Sequence, residues 1–149
     1  MAYKGRYKIK NIEKYVGDPS LITYRSSWER ALMHFCDTSP EVTKWGSEVC
    51  AIPYVCQTDG KIHTYYIDFV IKFKKIKQWH LIEVKPAKET KPPRENKKAN
   101  NKFRFFKESF KWKKNSSKWD AAVIYAGKKN MKFEVWTENH LRGMGLIIM

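Results

Sequence analysis

The chain reads as one mixed α/β domain, a sheet flanked by helices, and three observations predict it. Its 149 residues suit a single core. Apolar residues recur at helical spacing near residues 28–36 and again near 99–110. Between and after these stretches lie short runs rich in Val, Ile, Tyr and Phe, bounded by turn signals. With 42% hydrophobic and 15% aromatic residues, a folded globule is expected. The whole of 1–149 is read as one domain, with no repeat and no linker.

Residues 1–20 are basic and then turn-like, Gly17-Asp18-Pro19-Ser20 breaking any helix. They read as an arm lying on the surface. The first helix is expected from Ser26 to about Cys36, where Trp28, Leu32, Phe35 and Cys36 recur at i, i+4, i+7 and i+8. Ser26-x-x-Glu29 matches a capping box, in which the serine oxygen takes the Glu29 amide and the carboxylate returns to the serine amide. Asp37-Thr38-Ser39-Pro40 stops that helix.

Val49 to Val55 reads as a strand, with Pro53 marking an edge or a bulge. Asp59-Gly60 carries a hairpin signal. One long strand is expected from Ile62 to Phe73, and another from Trp79 to Lys85. A Lys/Pro-rich loop follows, then a helix from Arg94 to about Lys114. In that helix Ala99, Phe103, Phe106 and Phe110 form one apolar stripe for the core. Asn115-Ser116-Ser117 is expected to end it, and 120–126 to be a strand. Lys132 to Trp136 is another strand. Thr137 caps a short helix, and residues 143–149 form an apolar tail.

Charge is the louder signal. Thirty Lys and Arg face fifteen Asp and Glu, for a net charge of +15. Residues 85–118 hold thirteen of the bases and three acids, two thirds of the excess. A concentrated basic segment points to a polyanion, most simply DNA. Lys88, Lys91, Arg94, Lys97, Lys98, Lys102 and Arg104 are the candidate phosphate contacts. A membrane surface fits less well, because the segment's aromatics are needed for a core. No run of apolar residues is long enough to span a bilayer, and no apolar signal region follows the basic N-terminus. A cytosolic setting is expected. The three cysteines, an odd number, do not suggest a disulfide framework, and Cys50-x5-Cys56-x6-His63 matches no usual zinc spacing.

The chemistry concentrates in Tyr66-Ile67-Asp68-Phe69-Val70 and Leu81-Ile82-Glu83-Val84-Lys85-Pro86. Side chains in a strand alternate faces, so Glu83 and Lys85 point the same way. Charged groups in apolar strands are costly without partners. A divalent cation on Asp68 and Glu83, with Lys85 beside it, supplies one. Mg²⁺ prefers one or two carboxylates plus water and phosphate, and a backbone carbonyl near Val84 is a natural further ligand. Such an ion serves phosphodiester hydrolysis, with Lys85 steering the water or balancing the phosphate. The plainer alternative for Glu83 and Lys85 is an ion-pair face on an exposed sheet. His80 falls on the face opposite Glu83 and is expected to be structural, and Glu48 is a weaker acidic candidate.

The pattern Tyr66-Ile67-Asp68 … Ile82-Glu83-Val84-Lys85 resembles the PD-(D/E)xK nuclease core, with Ile67 in place of the proline. Arg25 to Arg30, Pro40-Glu41-Val42 and Ser47-Glu48-Val49-x-x-Ile52-Pro53-Tyr54 resemble the endonuclease subunit of Tn7-like transposons. Along nearly the whole chain the sequence is similar to the head completion nucleases of T-even-type phages. Tyr3-Lys4-Gly5-Arg6, Trp28-Glu29-Arg30, Asp59-Gly60-Lys61-Ile62-His63 and Phe133-Glu134-x-Trp136-Thr137-Glu138 carry that likeness.

The resemblance implies a restriction-endonuclease-like fold and a Mg²⁺-dependent DNA nuclease, with Mn²⁺ able to substitute. It implies Asp68, Glu83 and Lys85 as catalytic, and gives Glu29 a place on the metal that competes with its capping role. It implies work in the host cytoplasm and the virion, on packaged DNA, beside portal, neck or other head completion proteins. Two other readings stay open: a virion plug that binds DNA without cutting, and a junction-resolving or transposase-type endonuclease. No element set for reading base edges stands out, so preference for DNA structure or ends is expected over sequence specificity.

Overall fold

The computed structural model describes residues 2–95 and 102–148. The strands are β1 (Ala2–Arg6), β2 (Thr23–Ser26), β3 (Val42–Ser47), β4 (Ala51–Val55), β5 (Ile62–Tyr66), β6 (Phe69–Phe73), β7 (His80–Val84) and β8 (Lys132–Trp136). The helices are α1 (Ser27–Thr38), α2 (Lys102–Lys128) and α3 (Glu138–Gly143). The central sheet runs β3-β6-β7-β8, antiparallel except for the parallel β7–β8 pair. The mixed α/β architecture expected from the sequence is therefore present. Among the described residues no helix is long and apolar enough to cross a membrane.

Strand alternation splits the core into two layers. Phe69, Ile71 and Ile82 pack with Leu32, Met33 and Cys36 of α1 and with Trp45 and Trp136. Val70 and Leu81 face the other way, toward Ala122 and Ala126 of α2 and toward Ile52, Tyr54 and Tyr65 of the β4–β5 ribbon. Glu83 and Lys85 share the parity of Leu81, which directs them to the α2 side.

Four expectations are corrected. The long strand from Ile62 to Phe73 is two strands broken at Ile67-Asp68. There the chain leaves the β4–β5 ribbon and enters the central sheet; Ile67 N–H donates to Cys50 O (3.0 Å) and Glu48 N–H to Asp68 O (3.2 Å). The second correction is α2, which does not end at Asn115-Ser116-Ser117. It runs on through 120–126, the stretch expected as a strand. A parallel β7–β8 pair needs a crossover between its strands, and one long helix provides it. Ala122 and Ala126, one turn apart, are buried, whereas Val123 and Ile124 between them are 58% and 60% exposed. The stretch therefore follows helical period, and its β-branched residues are the ones left outside.

The third correction concerns the aromatic stripe of α2. Phe103, Phe106 and Phe110 are exposed rather than in the core. Ala99, the fourth member of that stripe, lies outside the described residues. At the N-terminus, 2–6 pair antiparallel with β2 instead of lying as an arm. Tyr7 and Ile9 pack on the α1-side core.

Strands β1, β2 and β3 have no counterpart in the sequence reading, whereas the hairpin, the edge strand and the α3 cap form as expected. Asp59-Gly60 turns the β4–β5 hairpin, Gly60 at φ 70° and its N–H donating to Cys56 O (2.7 Å). Pro53 lies on β4, which among the described residues pairs only with β5. Thr137 Oγ1 accepts the Asn139 amide (3.2 Å) and caps α3. Leu146 and Ile147 of the tail pack against the α1-side core.

Candidate active site

Asp68 stands where two sheets meet, and the break that ends β5 turns its carboxylate toward the last residues of β7. Its Oδ2 accepts the Val84 N–H at 2.9 Å. Glu83, on β7, is buried at 5% exposure. Its Oε1 accepts the Tyr65 hydroxyl at 2.7 Å, and Lys85 Nζ lies 3.6 Å from its Oε2. Asp68 from the β5–β6 junction is thus gathered with Glu83 and Lys85 from the end of β7, where strand alternation puts the last two on one face.

Electrostatics shows what this gathering lacks. Burial, and then the negative charge of Glu83, push the Asp68 carboxyl well above the ordinary carboxylate range. The Val84 amide and Lys85 pull the other way without winning. Among the described residues Asp68 Oδ1 accepts no hydrogen bond. The pair is short of positive charge, and a hard dication is the natural complement to two carboxylate oxygens. The donor set fits such an ion: among the described residues it is carboxylate oxygen, with no thiol or imidazole grouped with it. The protein does not cage an ion alone, since among the described residues no three His, Cys, Asp or Glu side chains are grouped to hold one. Mg²⁺ usually keeps several waters, and such a partial site suits it.

Glu29 stands close to both roles weighed for it. Ser26 Oγ accepts its amide at 3.1 Å, which caps α1. Its carboxylate does not return to the serine amide, as the capping-box pattern predicts; Oε1 accepts from Arg25 N–H at 3.1 Å. Burial raises its carboxyl pKa, with contributions from the charges of Glu48 and Glu83. Its own charge in turn reaches Asp68. The carboxylate therefore lies at the margin of the acidic group, tied by one backbone bond.

Tyr65 and Lys118 escaped the sequence reading. Tyr65 orients Glu83 and packs in the α2-side core; its only signal was its place two residues before the strand break. Lys118 of α2 lies 5.4 Å over the Tyr65 ring, and burial, the largest influence, lowers its pKa while Glu83 counters. Its signal was obscured by the assumption that the helix ended before it. Glu48, with φ 55°, is ion-paired with Arg25 and donates its amide to Asp68 O. His80 is buried, edge-on to Phe73 and 3.8 Å from Glu134, away from the acids.

Beyond Lys85, a cleft of about 240 Å³ runs between the 86–93 segment and α2. Lys88, Lys91, Arg104 and Lys111 line it, with Glu89 and Glu108 between them. Lys111 binds Glu89 at 2.8 Å and Arg104 binds Glu108 at 2.9 Å. Of the candidate phosphate contacts, the fold brings Lys88, Lys91 and Arg104 together here. Arg94 and Lys102 lie outside the cleft, and Lys97 and Lys98 fall outside the described residues. Arg104, Lys111, Asn115 and Lys118 recur at helical spacing, so one face of α2 joins the cleft to the acids.

The chain is 43% identical to the head completion nuclease of Enterobacteria phage T4 over 147 residues, 97% of each chain. No solved structure gives a significant match. The family model for the TnsA-like endonuclease N-terminal domain matches residues 39–138, a span that holds Asp68, Glu83 and Lys85. On these grounds the chain belongs to the TnsA-like endonuclease family.

Proposed function

We propose that the chain is a Mg²⁺-dependent DNA nuclease that processes packaged DNA during head completion of a tailed phage, so that heads join tails. The observation that carries the reading is the acidic pair Asp68 and Glu83, enclosed, mutually repelling and flanked by Lys85. A relative named a head completion nuclease, matched end to end, supports the setting. Mn²⁺ is expected to substitute, and the work is placed in the host cytoplasm and the virion.

In this reading Asp68 and Glu83 would hold the ion, with Glu29 as the third acid at its margin. The bound ion supplies a Lewis acid for the phosphoryl oxygen and a more acidic water. Tyr65 fixes one oxygen of Glu83 and leaves the other toward Lys85. Lys85 holds the attacking water or a non-bridging phosphate oxygen in place. Lys118 adds positive charge from the facing helix, where negative charge develops in the transition state. The basic cleft binds the strand through its phosphates, which makes affinity salt-sensitive and indifferent to sequence.

The test is cleavage of labelled linear, flapped and branched DNAs in Mg²⁺ or EDTA, by the native chain and Glu83→Ala. Metal-dependent cutting that disappears in the variant, with DNA binding retained, is the expected result. Undiminished cutting by Glu83→Ala would overturn the assignment.

A further inference from the structure

The first turns of α2 leave a feature that neither the core nor the cleft explains. Phe103, Phe106 and Phe110 stand at i, i+3 and i+7, on one face of the helix. They are 72%, 67% and 50% exposed. Single exposed apolar residues need no account, but three rings aligned on one face form a patch. The residues around them are basic: Lys102, Arg104, Lys107, Lys111, Lys113 and Lys114, against the one acid Glu108. Lys107 Nζ lies 5.4 Å over the Phe103 ring. Aromatic faces set among cations at close intervals are the ingredients of a surface for unpaired bases, whose rings stack while their phosphates meet the lysines.

We infer that this face of α2 is a stacking platform for single-stranded DNA, which makes the substrate of the site a DNA with an unpaired strand, a flap or a frayed end. The inference rests on the nuclease reading for its consequence and on the helix alone for binding. Charge complementarity selects the occupant. A second copy would bring one basic helix against another, whereas a polyanion is attracted. Continuity supports the same choice, since Lys118, beside Tyr65 and Glu83, sits on this helix. Phe110 precedes it by about 12 Å of helix axis and Phe103 by about 22 Å. The acids lie farther along the same helix, beside the neighbouring face that Arg104, Lys111 and Lys118 share. Paired bases in a duplex present no free faces to the rings, so duplex DNA is held by its phosphates only.

The test is equilibrium binding in EDTA, where no cleavage intervenes, by fluorescence anisotropy of labelled oligothymidine and of a blunt duplex. The variant is F103L/F106L/F110L, which keeps apolar area and helix propensity while removing the rings. An Ala version of the same triple, tested for self-association and for binding to anionic phospholipid vesicles, separates stacking from apolar docking. The expected result is a loss of about tenfold or more in single-strand affinity for both variants, with duplex affinity unchanged. Unchanged single-strand affinity, or an equal loss on duplex, overturns the inference. So does single-strand binding kept by the Leu variant while the Ala variant loses self-association or vesicle binding. Cleavage by Glu83→Ala, run alongside, keeps the two readings apart. Normal single-strand binding by the Phe variants with metal-dependent cutting intact sinks the platform alone. Ring-dependent binding with no cutting in any metal sinks the nuclease alone.

Discussion

Asp37 at the end of α1 and Asp68 at the β5–β6 junction both meet a desolvation cost, and it is answered differently at each. Burial would raise both carboxyl groups. Around Asp37, Tyr7 Oη, Lys10 N–H and Asn11 N–H donate to its two oxygens at 2.7–2.9 Å, and together they outweigh burial and hold its pKa below the ordinary value. Its backbone carbonyl takes Asn11 Nδ2 at 2.7 Å and Lys14 Nζ at 3.2 Å. Asp68 has one backbone donor and faces Glu83, and its pKa is pushed up. A carboxylate surrounded by donors ties the N-terminal segment to α1. A carboxylate left beside another acid is poised for a cation the protein itself does not supply. In the proposed reading, the difference separates an acid that builds the fold from one that serves the chemistry.

The largest expected break of this contrast is Asp68→Ala. Cleavage should fall by more than about 10³-fold, about 4 kcal/mol of transition-state stabilisation, while circular dichroism and DNA binding stay native. Equal loss of fold and activity would place Asp68 with Asp37 as a structural acid. Next comes Asp37→Ala, which leaves the Tyr7 hydroxyl and two backbone amides without their acceptor. Thermal or urea unfolding should show a loss of about 3 kcal/mol, with little change in the chemistry of the surviving folded fraction. Tyr65→Phe sharpens the comparison by removing the donor that orients Glu83. A loss of about tenfold in metal affinity or cleavage is expected, with stability near native.

The smallest effect is the most diagnostic. Asp68 has a raised folded-state pKa, so its contribution to stability is present at low pH and lost as pH rises through that value. At neutral pH, in EDTA, Asp68→Asn should therefore raise the melting temperature by a few degrees, about 1 kcal/mol. Asp37 runs the other way: its contribution is present above the ordinary aspartate value, about 3.9, and lost as pH falls through its lower folded value. Asp37→Asn should lower the melting temperature at neutral pH, and the gap between Asp37→Asn and native should close in acid. A melting temperature lowered by both Asn variants at neutral pH would erase the distinction.

Local patterns carried the parts of this molecule that local physics decides. The Ser26 cap, the Asp59-Gly60 hairpin and the Thr137 cap are each set by a few neighbouring residues, and each was legible. So was the convergence of Asp68 with Glu83 and Lys85, because charged residues in apolar strands require a partner. What was not legible depends on distant chain. The break at Ile67-Asp68 exists because one strand serves two sheets. The length of α2 follows from the parallel β7–β8 pair, which no window around Ala122 reveals. Phe103, Phe106 and Phe110 have a helical stripe's spacing, but no element of the described fold packs over them. The donors that satisfy Asp37 come from residues 7–11, a segment whose charge and turn residues suggested a surface arm.

The central claim is that Asp68 and Glu83 are short of a cation, and metal-linked stability tests it most directly. Ligand binding to the folded state raises stability by mass action. Thermal unfolding without DNA, in EDTA and then across rising Mg²⁺, should show the native melting temperature climbing with the ion and that of Asp68→Asn staying flat. Equal climbs in both proteins, or a flat native curve from a preparation that still cuts DNA in Mg²⁺, would contradict the account.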